Sequence, residues 1–210
     1  MRILAIADIH GHQYRLNIVL KNIEMYSPDV VVVCGDITQF GPAEVARNLL
    51  DQIPVETFAV PGNCDPPEVS KMIDKSKAIN IDMKRVERHG IPFVGISRVT
   101  TYSILDKPVF IDGNEKKSVG NVLDEKCILV SHEPPYGVQD RVFIGIHGGS
   151  RELKEIVEKY KPRLVLCGHI HEDPGVTKFK ETFVVNCSMG KYTEGALIDL
   201  NDEINIRIID

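Results

Sequence analysis

Five apolar runs in this chain each stop at a residue carrying a strong oxygen or nitrogen donor. Asp8 and His10 follow Ile3–Ala7, Asp36 follows VVVVCG and Asn63 follows TFAVPG. His132 follows ILVS, and His169 and His171 follow LVLCG. The runs read as strands. Between the early ones, Leu16, Val19, Leu20 and Ile23, then Val45, Leu49, Leu50 and Ile53, recur at helical spacing. Strand and helix in alternation imply parallel pairing with helices outside the sheet. Such sheets bind ligands beyond the carboxyl ends of their strands, so the seven donors should gather along one edge.

The rest of the chain reads less evenly. A third helix starts at Pro66-Pro67 and carries Val69, Met72 and Ile73. Strands follow near Lys84–Glu87 and Pro92–Ile96, with Gly90 at the turn between them. Residues 98–124 give no clear pattern. After a strand at Ile128–Val130, a loop runs through Gly145, Gly148 and Gly149 into a helix marked by Leu153, Ile156, Val157 and Tyr160. Leu164–Leu166, Phe183–Val185, Ala196–Ile198 and Ile204–Ile208 finish as strands without helices between them, which predicts antiparallel hairpins. The expectation is one α/β domain over residues 1–210, with two packed mixed sheets flanked by helices.

Composition narrows the setting. Hydrophobic residues make up 43% and charged residues 26%, as in soluble globular proteins. No apolar run is long enough for a membrane span, and the first residues lack a signal-peptide cleavage site. The five cysteines are scattered, and Cys34, Cys127 and Cys167 lie in or at the ends of apolar runs, so free buried thiols and a reducing cytoplasm are expected. A net charge of −5 weighs against sequence-independent binding to nucleic acid.

The donors themselves indicate metal chemistry. Carboxylate, imidazole and amide oxygen suit manganese, iron, zinc and related divalent ions. No cysteines pair as in a zinc finger. Seven ligands are too many for one tetrahedral ion. They suit two ions about 3.5–4 Å apart that share a carboxylate and stabilise both the attacking and leaving oxygens of a phosphoryl centre. Gly35, Gly62 and Gly168 each directly precede a ligand, where the missing Cβ permits tight turns and close approach.

Taken in order, Asp8-Ile-His10, Gly35-Asp36, Gly62-Asn63-Cys64-Asp65, His132 and Gly168-His169-Ile170-His171 resemble the calcineurin-like metallophosphoesterase superfamily. The resemblance implies a four-layer α-β-β-α sandwich. It implies that Asp8, His10 and His171 hold one ion, that Asn63, His132 and His169 hold the other, and that Asp36 bridges them. It also implies in-line attack by a metal-bridging hydroxide on a small phosphodiester or phosphomonoester, with no covalent enzyme intermediate. Manganese is the favoured ion, with iron, zinc and nickel as alternatives. Many members carry His after the Asn, and that His is thought to help the leaving group. Here the position is Cys64, as in small members that are often phosphodiesterases. A thiol is a poorer proton donor to an alkoxide than imidazolium, so aryl esters should react faster than alkyl esters.

Other residues admit more than one reading. Asp65-Pro66-Pro67-Glu68 reads as a helix N-cap with Glu three residues on, or Asp65 acts in catalysis, or it does both by fixing the Asn63 loop. His147, in Ile146-His147-Gly148-Gly149-Ser150, contacts the substrate phosphate with help from free backbone N–H groups or replaces the missing catalytic His, or else is a surface His beside a helix capped by Ser150. His12 lies in the metal loop and is either a supporting or an exposed residue. His89 belongs to a turn, and Tyr136 lines the cleft or packs. Two rival functions stand: a nuclease, disfavoured by the acidic balance, and a non-catalytic interaction scaffold, kept open by Cys64.

Overall fold

The computed structural model describes residues 1–97, 109–112, 115–201 and 203–210. The chain runs through β1 (Arg2–Ile6), α1 (Gln13–Tyr26), β2 (Val30–Cys34), α2 (Glu44–Leu50), β3 (Thr57–Val60), α3 (Glu68–Asp74) and β4 (Ile79–Asn80). It continues with β5 (Lys84–Arg88), β6 (Ile91–Ile96), β7 (Val109–Asp112), β8 (Glu115–Ser118), α4 (Val119–Val122), β9 (Ile128–Ser131) and α5 (Arg151–Tyr160). It ends with β10 (Leu164–Cys167), β11 (Gly175–Phe179), β12 (Thr182–Asn186), β13 (Gly195–Leu200) and β14 (Ile204–Ile209). None of the described helices is long and apolar enough to cross a membrane.

The strands form two mixed sheets. One is ordered β14-β13-β1-β2-β3-β4, the other β11-β12-β10-β9-β6-β5-β7-β8. Successive side chains of a strand face opposite sides, and that alternation builds the layers. Ile3, Ala5, Val30, Val32 and Phe58 of the first sheet meet Phe93, Ile128, Val130, Leu164 and Leu166 of the second in one buried cluster. Phe58 and Phe93, both fully buried, meet within it with ring centroids 4.9 Å apart. Leu4, Ile6, Val31, Val33 and Ala59 face the other way, onto Leu16 and Val19 of α1, Ala46 and Leu49 of α2 and Val69 of α3. Val94, Leu129 and Val165 turn from the second sheet onto Leu153, Ile156 and Val157 of α5. The result is the expected sandwich of helices, sheet, sheet and helix.

Several elements differ from their sequence reading. β4 and β11 carry no readable pattern, since β4 has two residues and the middle of β11 is exposed on both faces. β7 and β8 lie in the stretch that gave no pattern, much of which falls outside the described residues. The late strands do form antiparallel hairpins, β11 with β12 and β13 with β14. However, β12 also lies parallel to β10, and β13 crosses to the other sheet to pair antiparallel with β1. Ser150 caps α5 as expected, its side chain accepting from the Leu153 N–H at 3.1 Å. Asp65 does not cap α3: that helix begins beyond Pro67 with no side-chain cap.

Candidate metal centre

The carboxyl ends of β1, β2 and β3 in one sheet and β9 and β10 in the other come together at one edge of the sandwich. Backbone bonds hold the meeting loops. Asp8 N–H donates to the Gly35 carbonyl at 3.1 Å, His10 N–H to the Asp36 carbonyl at 2.9 Å, and Gly168 N–H to the His132 carbonyl at 2.9 Å. The three glycines singled out in the sequence are needed there. A Cβ on Gly62 would stand 2.2 Å from Asp36 Oδ1, one on Gly168 2.2 Å from the Ala7 Cβ, and one on Gly35 2.6 Å from His132 Nδ1.

All seven predicted donors lie at this edge, and their atoms converge. His10 Nε2 and His171 Nε2 are 3.3 Å apart, and Asp8 Oδ1 is 3.3 Å from His171 Nε2 and 3.9 Å from His10 Nε2. Ligands bound at about 2.1 Å to a common ion stand roughly 3–3.5 Å from one another, so this trio is spaced close to what one cation needs. Asp36 Oδ2 is 3.4 Å from His132 Nε2 and 4.0 Å from His10 Nδ1. Asn63 Oδ1 is 2.7 Å from His132 Nε2, and the His132 and His169 rings meet edge-on at 5.0 Å. Among the described residues, three trios have donor atoms within 4.8 Å of one another: Asp8, His10 and His171; Asp8, Asp36 and His132; and His10, Asp36 and Cys64. Asp8, His10 and Asp36 each belong to two of them. Among the described residues, Asp8 Oδ1 and His10 Nδ1 are buried without a hydrogen bond. Buried polar atoms are rarely left so, and a cation would satisfy the carboxylate.

The backbone carries a second mark. Asp8, His10, Asp36 and His169 all have left-handed backbone, with φ of 64°, 52°, 51° and 71°. Each such residue costs on the order of 1–3 kcal/mol and persists only where its surroundings hold it. Four of seven candidate ligands bearing that cost is the pattern of a site whose side chains are aimed at the expense of the chain.

Charge is tuned to match. Burial pushes the Asp36 carboxyl up, but hydrogen bonds from His132 and Cys64 outweigh it and hold it at about 2. Burial alone would push His132 down, yet Asp36 and Asp8 raise it to about 8. Asp8 is likewise held below the ordinary carboxylate range, because His171 and His132 overcome its burial. His132 Nδ1 lies 2.9 Å from the Cys34 carbonyl, which leaves Nε2 to face the centre. The Cys64 thiol, desolvated and beside Asp36, is pushed up to about 12. Its backbone N–H donates to Asp36 Oδ1 at 2.7 Å.

Asp65 serves the centre from behind. Its carboxylate accepts from the N–H groups of Ile37, Thr38 and Gly62 and from the Thr38 hydroxyl, at 2.7–3.1 Å. It latches the Asp36 loop to the Asn63 loop. For His147 the expected anion site is not present. The Gly148 and Gly149 N–H groups donate to Asp140, and that of Ser150 to Pro134. The Asp140 carboxylate fills the place an anion would take and also bonds His147 Nδ1 at 2.6 Å. His12 is exposed and packs on Tyr14 at 5.2 Å, His89 sits in a left-handed turn, and Tyr136 packs under the Arg151 guanidinium. One residue was missed: Arg15, whose guanidinium donates to the Asp8 carbonyl. Its only signal was position, on the first turn of the helix that leaves the Asp8 loop.

A model of the calcineurin-like phosphoesterase family matches residues 1–173. An uncharacterized protein of Methanocaldococcus jannaschii is 36% identical over 201 residues, covering 91% of this chain and 90% of its own. A probable cyclic nucleotide phosphodiesterase of Synechococcus is 29% identical over 176 residues, which are 73% of this chain and 62% of that protein. The structure of a dimetal phosphatase from Danio rerio shares the fold at a TM-score of 0.68 and 14% identity, covering 99% of this chain and 95% of that one. With the family matched over most of its length and an archaeal relative over nearly all of it, this chain belongs to the calcineurin-like phosphoesterases.

Proposed function

We propose that the protein is a binuclear metal-dependent phosphodiesterase that also accepts monoesters. Asp8, His10 and His171 hold one divalent ion, Asn63, His132 and His169 hold the other, and Asp36 bridges them. The observation that carries this reading is the position of Asp36 Oδ2 between the two sets, 3.4 Å from His132 Nε2 of one and 4.0 Å from His10 Nδ1 of the other. The ions, manganese first among them, would supply the positive charge that draws the phosphoryl oxygens and activates the attacking water. The chain's own part is orientation and charge. Asp8 and Asp36 stay ionised at neutral pH, and the left-handed loops fix the imidazoles before any ligand arrives. Cys64 holds its proton and stands within reach of His10 and Asp36. The name of the Synechococcus relative supports a diester substrate.

The test is hydrolysis of bis-p-nitrophenyl phosphate and p-nitrophenyl phosphate by chelated protein reloaded with Mn²⁺. Diester turnover that requires metal, exceeds monoester turnover and falls at least a hundredfold in Asp36→Asn is the expected result. Stoichiometric metal binding without turnover of either ester would overturn it in favour of a scaffold.

A further inference from the structure

An open cleft of about 590 Å³ lies against the Asp8 side of the metal centre, between the start of α1 and the turn before β13. Two separate contacts join it to the centre. Arg15, on its wall, donates to the Asp8 carbonyl, and its charge bears on both His10 and His171. On the opposite wall, Met189 N–H donates at 3.1 Å to the carbonyl of Ala7, the residue before Asp8. The neighbouring Gly190 faces the His171 carbonyl, 3.9 Å from where a Cβ would stand.

The lining combines aromatic rings, cations and carboxylates. Tyr14 is 57% exposed and Tyr192 73% exposed, so two aromatic rings face water at the cleft. Each carries a cation: Arg15 Nε donates to the Tyr14 hydroxyl at 3.1 Å, and Lys191 Nζ lies 4.9 Å from the Tyr192 ring centroid. Glu194 and Asp210 add carboxylate acceptors. Flat apolar rings stack on planar bases, cations attract phosphate oxygens, and carboxylates accept from ribose hydroxyls and base amino groups. A nucleoside joined to a phosphate presents all three groups within one small molecule. A lipid tail would leave the cations and carboxylates unmatched, and a bare sugar phosphate would leave the second tyrosine uncovered.

We propose that this cleft seats the nucleoside part of a nucleotide ester whose phosphoryl group lies at the metal centre. The proposal rests on the phosphoesterase reading above for the reaction, but its binding half can be tested alone. Equilibrium dialysis of AMP and of inorganic phosphate, with chelated and with Mn²⁺-loaded protein, compares the unaltered chain with Tyr192→Ala and Tyr14→Ala. Both rings are largely exposed, so the variants should melt as the parent does, which circular dichroism checks. The expected result is that AMP binds at least tenfold tighter than phosphate and that each variant weakens AMP at least fivefold more than phosphate. In parallel, the ratio of kcat/KM for the p-nitrophenyl ester of thymidine 5′-phosphate over methyl p-nitrophenyl phosphate should exceed ten and fall towards one in Tyr192→Ala, through KM. If both esters turn over equally and the variants change neither the ratio nor AMP binding, the cleft proposal is overturned while the phosphoesterase stands. If AMP binds through Tyr192 and neither ester is cut, the cleft stands and the phosphoesterase falls.

Discussion

Cys64 follows Asn63 at the candidate centre, and its backbone N–H donates to Asp36 Oδ1. With its thiol pushed up to about 12, it releases a proton to a departing alkoxide less readily than imidazolium would. Aryl diesters should therefore outpace alkyl diesters by a wide margin. Cys64→His should raise the alkyl rate about a hundredfold, at the lower end of what a positioned acid contributes, with little change for p-nitrophenyl esters. A parallel change in both rates would count against a leaving-group role for this position. The Asp36–His132 pair makes a second prediction, for the metal-free protein. His132 is raised to about 8, so its contribution is complete below its ordinary value near 6.5 and is lost as pH rises through 8. Asp36 is lowered to about 2, so its contribution is complete above 3.8 and is lost as pH falls through 2. His10 and His169, held below the ordinary imidazole value by burial, oppose this pair below about pH 6.5, so the pair shows on the alkaline side, where chelated protein should lose stability as pH rises above 6.5. It should lose on the order of 2 kcal/mol of stability by pH 9, the worth of a shift of that size. Mn²⁺ competes with the His132 proton, so the loaded protein should gain stability over the same upper range. Thermal melts from pH 4 to 9, with chelator and with metal, would show whether the two curves diverge in this sense.

At the scale of the element, the loops after the strands do more than connect. Asp65 ties the loop after β2 to the loop after β3 through four hydrogen bonds, although its sequence context reads as a helix cap. Removing the carboxylate strands the buried Ile37 and Thr38 N–H donors, a cost of about 1–3 kcal/mol for each one left unsatisfied. Asp65→Ala should lower metal affinity about tenfold to a hundredfold, as is typical when a ligand's support is lost. Metal titration would measure it, and affinity equal to the parent's would reduce Asp65 to a purely structural latch. The case also explains what could be read in advance. β1, β2, β3, β9 and β10 were legible because each is a continuous apolar run buried throughout or nearly so. β11 was not, because an edge strand with an exposed middle needs no apolar code. The Asp65 motif was legible in part: Asp-Pro-Pro-Glu satisfies the local grammar of a cap, while three of the four hydrogen bonds on the carboxylate come from residues 27 and 28 positions earlier in the chain and one from the nearby Gly62. The His147 turn misled: its glycines promised free N–H groups, and nothing local indicated that Asp140 would take them. The seven donors at the strand ends were readable for the opposite reason, since each follows directly from where its own strand stops.

For the whole molecule, the decisive fact is that the centre belongs to neither sheet. Asp8, Asp36 and Asn63 come from loops of the six-stranded sheet, and His132, His169 and His171 from loops of the eight-stranded one. The two sheets meet through a core in which the fully buried Phe58 and Phe93 touch across the interface. Trimming that contact should cost stability in the usual way: Phe58→Ala about 3–5 kcal/mol and Phe58→Leu less. The milder variant is the more informative one. A core that closes around a smaller side chain shifts one sheet against the other, and displacements near 1 Å can cost a hundredfold in catalysis. Phe58→Leu is therefore expected to lower kcat/KM for the diester by more than its loss of melting temperature suggests, and activity unchanged at full metal occupancy would refute this. The edge where the loops meet thus works as a gauge of sheet spacing. Selection for turnover reaches inward to residues that never touch substrate, and tolerance to substitution in the central core should be set by alignment before it is set by stability.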